Sequence, residues 1–286
     1  MARLLIVNCT PEALLQRLAA AGSRPYDALF LDSIGRHLPD GRALDHFVLH
    51  VAAGEGLPQG VQLGDFDGAW ISGSPFNVYR PDQPTVREQI ELARALWQAG
   101  IPAFGSCWGL QLMAAALGGT VRLNPSGREI GVARRIRLTE AGRSHALFEG
   151  KEGAFDALCS HEDEVATLPP GATVLASNAT SAIQAAAISD GRKAFWGVQY
   201  HPEFDFAAVA AIIALRVERH LDEGLARSGE EVAAIVSDFR DLAREPGRKD
   251  LAWRYGVGSD VLDPKARTAE FGNWLRTQVM AAAGRR

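Results

Sequence analysis

Cys107 lies in the run Gly105-Ser106-Cys107-Trp108-Gly109-Leu110-Gln111, and His201-Pro202-Glu203 follows near residue 200. A thiol can act as a nucleophile, an imidazole as the base that activates it, and a carboxylate as the group that holds the imidazole in the right tautomer. Taken singly, a cysteine in an apolar run reads as a small buried hydrophobe and a His-Pro pair as a strand end. The joint pattern points to nucleophilic catalysis.

The elements around these residues favour that chemistry. Residues 101–105 predict a short buried strand and 108–117 an amphipathic helix, which places Cys107 in the turn between them. Glycines on both sides suit a sharp turn that exposes the reactive atom, because a Cβ there would crowd it. The helix start aims N–H groups and the positive end of its dipole at the sulfur. With a neighbouring imidazolium, this should hold a thiol of ordinary pKa ~8.5 partly as thiolate. Residues 194–200 predict a strand, and Pro202 favours an extended backbone at His201, turning its ring outward. Glu203 is placed to accept the proton on the far ring nitrogen.

The two motifs together resemble the class I, triad-type, glutamine amidotransferase family over about residues 1–210, through Gly105-Ser106-Cys107-Trp108-Gly109 and Gln199-Tyr200-His201-Pro202-Glu203-Phe204. The resemblance implies hydrolysis of the glutamine side-chain amide through a γ-glutamyl thioester, with Cys107, His201 and Glu203 as the triad. It implies no cofactor and no metal. It also implies an oxyanion loop at Asp67-Gly68-Ala69-Trp70-Ile71-Ser72-Gly73-Ser74-Pro75, where the N–H groups of Gly73 and Ser74, with that of Trp108, are the candidate oxyanion donors. Loss of one such donor typically costs ~10²–10³ in rate. By the same analogy Gln111, Glu129, Ser160 and His161 are candidate substrate contacts. Arg128-Glu129-Ile130-Gly131 is similar to a pocket-lining segment of relatives. Ser160-His161-Glu162-Asp163-Glu164-Val165 is similar to a segment of the family's guanosine monophosphate synthetases, with Glu164 as an added acid.

Composition agrees with a folded α/β enzyme. The chain has 286 residues, 47% of them hydrophobic, enough for a substantial core. A net charge of −4 gives no reason to expect a nucleic-acid partner. No apolar run approaches the ~20 residues of a membrane span, and the N-terminus has no signal-peptide pattern. With only Cys9, Cys107 and Cys159, a disulfide framework is not expected and a cytoplasmic location is the default. Cys9 and Cys159 read as packing residues. His46 and His50 lie in a strand-like run, which argues against a metal pair.

Strands are expected at 4–8, 47–52 and 68–72, with helices at 11–21 and 85–99. Short strands follow at 120–122, 133–138, 155–160, 173–177 and 183–188. This alternation predicts a flavodoxin-like, doubly wound and mostly parallel central sheet, a smaller mixed or antiparallel sheet region, and a site outside the strand carboxyl ends. The amidotransferase domain is assigned to 1–222 and a helical C-terminal extension, packed on or beside it, to 223–286. In the extension Ser228-Gly229-Glu230-Glu231 has capping-box spacing and Pro246-Gly247 ends the helix. A later helix carries Phe271, Trp274, Leu275 and Val279 as an apolar stripe. The extension either packs on its own domain or covers a subunit interface or the site mouth, with Trp253 and Tyr255 as contributors. A homo-oligomer is allowed.

About sixty residues cannot hold a synthase domain with its own core, and no phosphate loop occurs. The first functional reading is therefore a glutaminase delivering ammonia to a separate synthase. The second is a stand-alone γ-glutamyl peptidase, hydrolase or transferase, since Gly73-Ser74-Pro75 stands where many synthase-coupled members have Gly-Gly-Pro. A catalytically silent binding protein is disfavoured because all three triad residue types are present.

Overall fold

A computed structural model describes residues 1–39, 43–191 and 193–284. Nine strands form one sheet: β1 Ala2–Asn8, β2 Leu44–His50, β3 Gly68–Ile71, β4 Ala103–Ser106, β6 Glu129–Leu138, β7 Ala154–His161, β9 Ala172–Ser177, β10 Ala185–Ser189 and β11 Ala194–Val198. Their order is β2-β1-β3-β4-β11-β10-β9-β6-β7. The half running from β2 to β11 is parallel and the remainder antiparallel. A separate antiparallel ribbon joins β5 Thr120–Leu123 to β8 Asp163–Thr167. The mixed region is thus continuous with the main sheet, and only the ribbon stands apart.

Alternation along β1 explains the layers. Leu4 and Ile6 face one core and Leu5 and Val7 the other, because successive strand side chains point to opposite faces. The second core lies under α3 Pro84–Ala99 and α4 Trp108–Ala116. The first lies under α1 Glu12–Ala20, α2 Tyr26–Gly35 and α6 Phe206–Ala214, while the short α5 Glu140–Ser144 packs at β9. Helix α2 is absent from the sequence expectation, although Tyr26, Leu29, Phe30, Ser33 and Ile34 are its buried residues at helical spacing. His46 and His50 share one face of β2 about 13 Å apart, given ~3.3 Å per residue, too far to grip one ion.

The C-terminal helices are α7 Val217–Asp222, α8 Gly229–Arg244, α9 Lys249–Arg254, α10 Ser259–Leu262, α11 Pro264–Arg267, α12 Ala269–Trp274 and α13 Met280–Ala283, with a π-helical stretch Leu275–Val279 before the last. Ser228 caps α8, its hydroxyl accepting from the Glu231 N–H. Helix α8 packs on α6. The stripe of α12 enters the first core, where Phe271 meets Phe30 edge-on at 5.1 Å and Phe104 at 4.9 Å, and Trp274 meets Phe104 at 6.0 Å. Phe271 and Trp274 are fully buried. Trp253, by contrast, is 87% exposed, while Tyr255 packs its ring against Phe239. No described helix is long and apolar enough to cross a membrane.

Candidate active site

Strands β3, β4 and β11 are parallel neighbours, so their carboxyl ends open on one edge of the sheet. Gly73 and Ser74 follow β3, Cys107 follows β4 and His201 follows β11. All four line one narrow cleft of about 40 Å³, with Thr10, Tyr26, Ser160, Phe204 and Arg216 among the other walls.

Cys107 itself takes the strained backbone, with φ 50° and ψ −98°. A positive φ costs a side-chain-bearing residue of order 1–3 kcal/mol, so neighbouring structure must hold it. The hold is visible: the Cys107 N–H donates to Val198 O at 2.7 Å, and its carbonyl accepts from the Gln111 N–H. The flanking glycines serve close packing. A Cβ on Gly105 would lie 2.5 Å from the Gly109 backbone, and one on Gly109 would lie 2.5 Å from Ile71 O. Neither has a positive φ. Helix α4 can therefore sit directly on β3 and β4 only where both positions lack side chains.

Burial pushes the Cys107 thiol up to about 12, and the Glu203 charge adds to it, against the hydrogen bond from the Trp108 N–H that favours the thiolate. Desolvation thus works against the partly ionised resting thiol that the helix start favours. The thiol points to Ser160 O at 3.9 Å.

His201 is 3% exposed and Glu203 is 2% exposed. His201 Nδ1 lies 2.7 Å from Glu203 Oε1, and the ring stacks on Phe204 with centroids 3.8 Å apart and planes 3° from parallel. Gly73 lies so close to the imidazole that a Cβ there would be 2.6 Å from Cε1. His201 Nε2 has no hydrogen-bond partner among the described residues. With the Nδ1 edge held by Glu203, the Nε2 edge is the one available to the cleft. Glu203 Oε2 accepts from Ser106 Oγ at 3.0 Å, and Ser106 Oγ accepts from Trp70 Nε1 at 3.1 Å. Sequence reasoning missed this support from Ser106 and Trp70, although both lie inside the quoted motifs.

The loop after β3 is fixed by hydroxyls. Thr10 Oγ1 and Ser72 Oγ both donate to Gly73 O at 2.9 Å, and Ser74 Oγ donates to Cys9 O at 2.9 Å. In a trans peptide the N–H points opposite to the carbonyl, so this pinning fixes where the Ser74 N–H points. Asp163 ties down the following residues, accepting from Asn77 Nδ2 at 2.8 Å and Tyr79 OH at 3.1 Å.

Of the four residues assigned to substrate contact, only Ser160 lines the cleft. Gln111 is buried beneath it, donating to Asp163 O at 3.1 Å and Gln199 Oε1 at 3.2 Å. Glu129 and His161 pair with each other in the interior at 2.9 Å. Arg216 and Tyr26, which do line the cleft, carry no local sequence signal.

A family model described as glutamine amidotransferase class-I matches residues 50–211. The chain belongs to that family. A gamma-glutamyl-L-1-hydroxyisopropylamide hydrolase of Pseudomonas sp. is 35% identical over 230 residues, 78% of this chain and 76% of that protein. A glutamine-hydrolyzing GMP synthase of Streptomyces coelicolor is 42% identical over 133 residues, 46% of this chain but 23% of that protein. Among solved structures, a glutamine amidotransferase of Thermotoga maritima superimposes with TM-score 0.65 at 16% identity, covering 95% of this chain and 98% of that one. A glutamine amido transferase of Methylobacillus flagellatus does so with TM-score 0.61 at 21% identity, covering 99% and 94%. These two share the fold. Membership in the amidotransferase family supports an amide-hydrolysing enzyme.

Proposed function

We propose that this protein hydrolyses γ-glutamyl amides through a thioester on Cys107, with His201 as general base and then acid, and Glu203 orienting it. The observation that carries this reading is a free imidazole edge and a thiol lining one cleft, with the other imidazole nitrogen held by a buried carboxylate.

Burial disfavours the thiolate, so His201 Nε2 takes the thiol proton as sulfur attacks the γ-carbonyl. The oxyanion that develops is received by N–H groups of Gly73, Ser74 and Trp108. The protonated imidazole gives its proton to the departing amine or ammonia. Water, deprotonated by the same imidazole, then attacks the thioester, and the proton returns to the sulfur as the γ-carboxylate leaves. In this reading residues 1–222 carry the chemistry, and the helical extension 223–286 completes their core through Phe271 and Trp274.

Two fates of the nitrogen are compatible with this chemistry. A stand-alone hydrolase of γ-glutamyl alkylamides is favoured by the similarity to the Pseudomonas hydrolase, which extends over most of both chains. Delivery of ammonia to a separate synthase is favoured by similarity to the amidotransferase portion of GMP synthases, of which this chain spans only about a quarter.

Incubation of the purified chain with glutamine and with γ-glutamyl alkylamides separates the two. Release of alkylamine without any added protein supports the hydrolase. Turnover of glutamine alone, accelerated by a partner, supports the ammonia donor. Full turnover by Cys107→Ser on either substrate would overturn the mechanism.

A further inference from the structure

Three arginines are close neighbours beside the cleft, and only two of them have carboxylate partners among the described residues. Arg128, its side chain 3% exposed, pairs with Glu162 and with Glu223 at 2.8 Å. Arg219 pairs with the same two acids, meeting Glu223 at 2.8 Å. Both carboxylates are thereby shared between two guanidinium groups. Arg216, the third, has no carboxylate within ion-pair distance among the described residues. Among the described residues its guanidinium makes one hydrogen bond, from Nη1 to Ser160 Oγ at 3.4 Å, a long one for a charged donor.

Arg216 is also the residue of the three that lines the cleft, and among the described residues no Asp or Glu lines it with Arg216. Burial, and then the neighbouring charge of Arg128, both disfavour its cationic form, and nothing in the free protein compensates fully. Arg216 is only partly buried, but even a half-buried cation without an ion-pair partner gains from a ligand that supplies one. Ser160 connects it to the reacting atom: the Ser160 carbonyl faces the Cys107 thiol at 3.9 Å, while the Ser160 hydroxyl faces the guanidinium. Sulfur and cation thus stand at two ends of one residue, in one cleft.

We propose that Arg216 reads the α-carboxylate of the γ-glutamyl group, so that the enzyme accepts γ-glutamyl amides whose α-carboxylate is free and rejects those in which it is blocked. This deepens the function proposed above and rests on it. Arg216 is a specificity residue that touches the substrate away from the scissile bond, and its planar fork matches a carboxylate in a way an ammonium does not.

The test uses the full chain and two matched γ-glutamyl alkylamides, one with a free α-carboxylate and one with its α-methyl ester. Alkylation of Cys107 by a γ-chloroketone analogue of glutamine, followed by intact mass, reads recognition independently of turnover. The wild type should prefer the free acid by about 10²-fold in kcat/KM and label correspondingly faster with the free-acid analogue. Arg216→Gln should lose about 10²-fold on the free acid, mainly in KM, and much less on the ester, so that the preference collapses. Arg216→Lys should restore part of it.

An equal loss on both substrates would assign Arg216 a structural role and overturn the proposal. So would a preference that survives in Arg216→Gln. A collapse of preference only between leaving groups with and without a carboxylate would mean that the cation faces the other side of the scissile bond, and would also overturn it. Failure of the wild type both to turn over any γ-glutamyl amide and to label at Cys107 would instead remove the underlying function.

Discussion

Two buried histidine–glutamate pairs lie among the described residues, one at the candidate site and one in the scaffold. His201 meets Glu203 at 2.7 Å, and His161 meets Glu129 at 2.9 Å. By residue type, burial and distance they are nearly alike. They differ in what remains unused. His201 keeps Nε2 free of hydrogen-bond partners among the described residues and lines the cleft, whereas the other nitrogen of His161 bonds Asp163 O at 3.1 Å. Glu129 also accepts from Asn178 at 2.6 Å and from Gln184 at 2.7 Å. A pair with every site filled holds elements together, here β6 to β7. A pair with one open edge can exchange a proton with something that arrives.

The sharpest way to break this comparison is to remove each imidazole in turn. His201→Asn should lower kcat/KM on a γ-glutamyl amide by at least ~10³-fold while the thermal midpoint moves little, because the proton path is lost and packing is largely kept. His161→Asn should do the reverse. It takes a donor from a buried carboxylate, a loss of about 1–3 kcal/mol, enough to lower the midpoint by several degrees in a chain of this size. Its activity per folded molecule should stay within a few-fold of wild type. Turnover assays paired with thermal melts check both arms, and a silent His201→Asn would remove the distinction.

A pH series sharpens the same contrast at intermediate scale. Burial pushes the Glu129 carboxyl up, but the hydrogen bonds from His161, Asn178 and Gln184 outweigh it and hold its pKa below the usual glutamate value. A depressed carboxylate contributes stability that is complete above its unfolded pKa, about 4.3, and is lost as pH falls through the lower folded value. Glu129→Gln should therefore reduce stability at neutral pH and flatten the fall below about pH 4, as measured by urea midpoints from pH 7 to pH 3. At the other pair the informative group is the thiol. With Cys107 raised to about 12, alkylation of the resting protein by iodoacetamide should keep rising through pH 10. A plateau near neutrality would show that the imidazole already holds the proton.

The same two pairs explain what could be read in the chain. The placement of Cys107, His201 and Glu203 beside neighbouring strand ends was legible because each lies in a short motif whose backbone consequences are local: a strand end, a turn, a proline. The parallel half of the sheet was legible from its alternation, as were the strand ends that meet at the cleft. Glu129, His161 and Gln111 have the types of substrate-binding residues, but nothing in their spacing tells whether Asn178, Gln184 or Asp163 will already have used their hydrogen bonds. Arg216 fails in the opposite direction. It stands between α6 and α7, and its meaning depends on Glu162, in a distant segment, and Glu223, at the end of α7, having been taken by other arginines. For the thiol, a helix start that favours the thiolate is visible in sequence, and the burial that opposes it is not.

The smallest effect tests how far the support behind Glu203 matters. Ser106 Oγ donates to Glu203 Oε2 and accepts from Trp70 Nε1, so Ser106→Ala takes one donor from the carboxylate and leaves a buried indole N–H unpaired. The stability cost should be about 1–3 kcal/mol, the usual penalty for an unsatisfied buried group. The catalytic cost should be smaller, less than about tenfold in kcat, because Glu203 Oε1 still holds His201. Placing Thr at this position keeps the hydroxyl and should recover activity even where its extra methyl strains β4. Recovery by Ser106→Thr but not by Ser106→Ala would mean that the hydroxyl steadies the carboxylate. Equal losses in both would assign the effect to packing at the strand end, and Glu203 would then depend on His201 alone for its position.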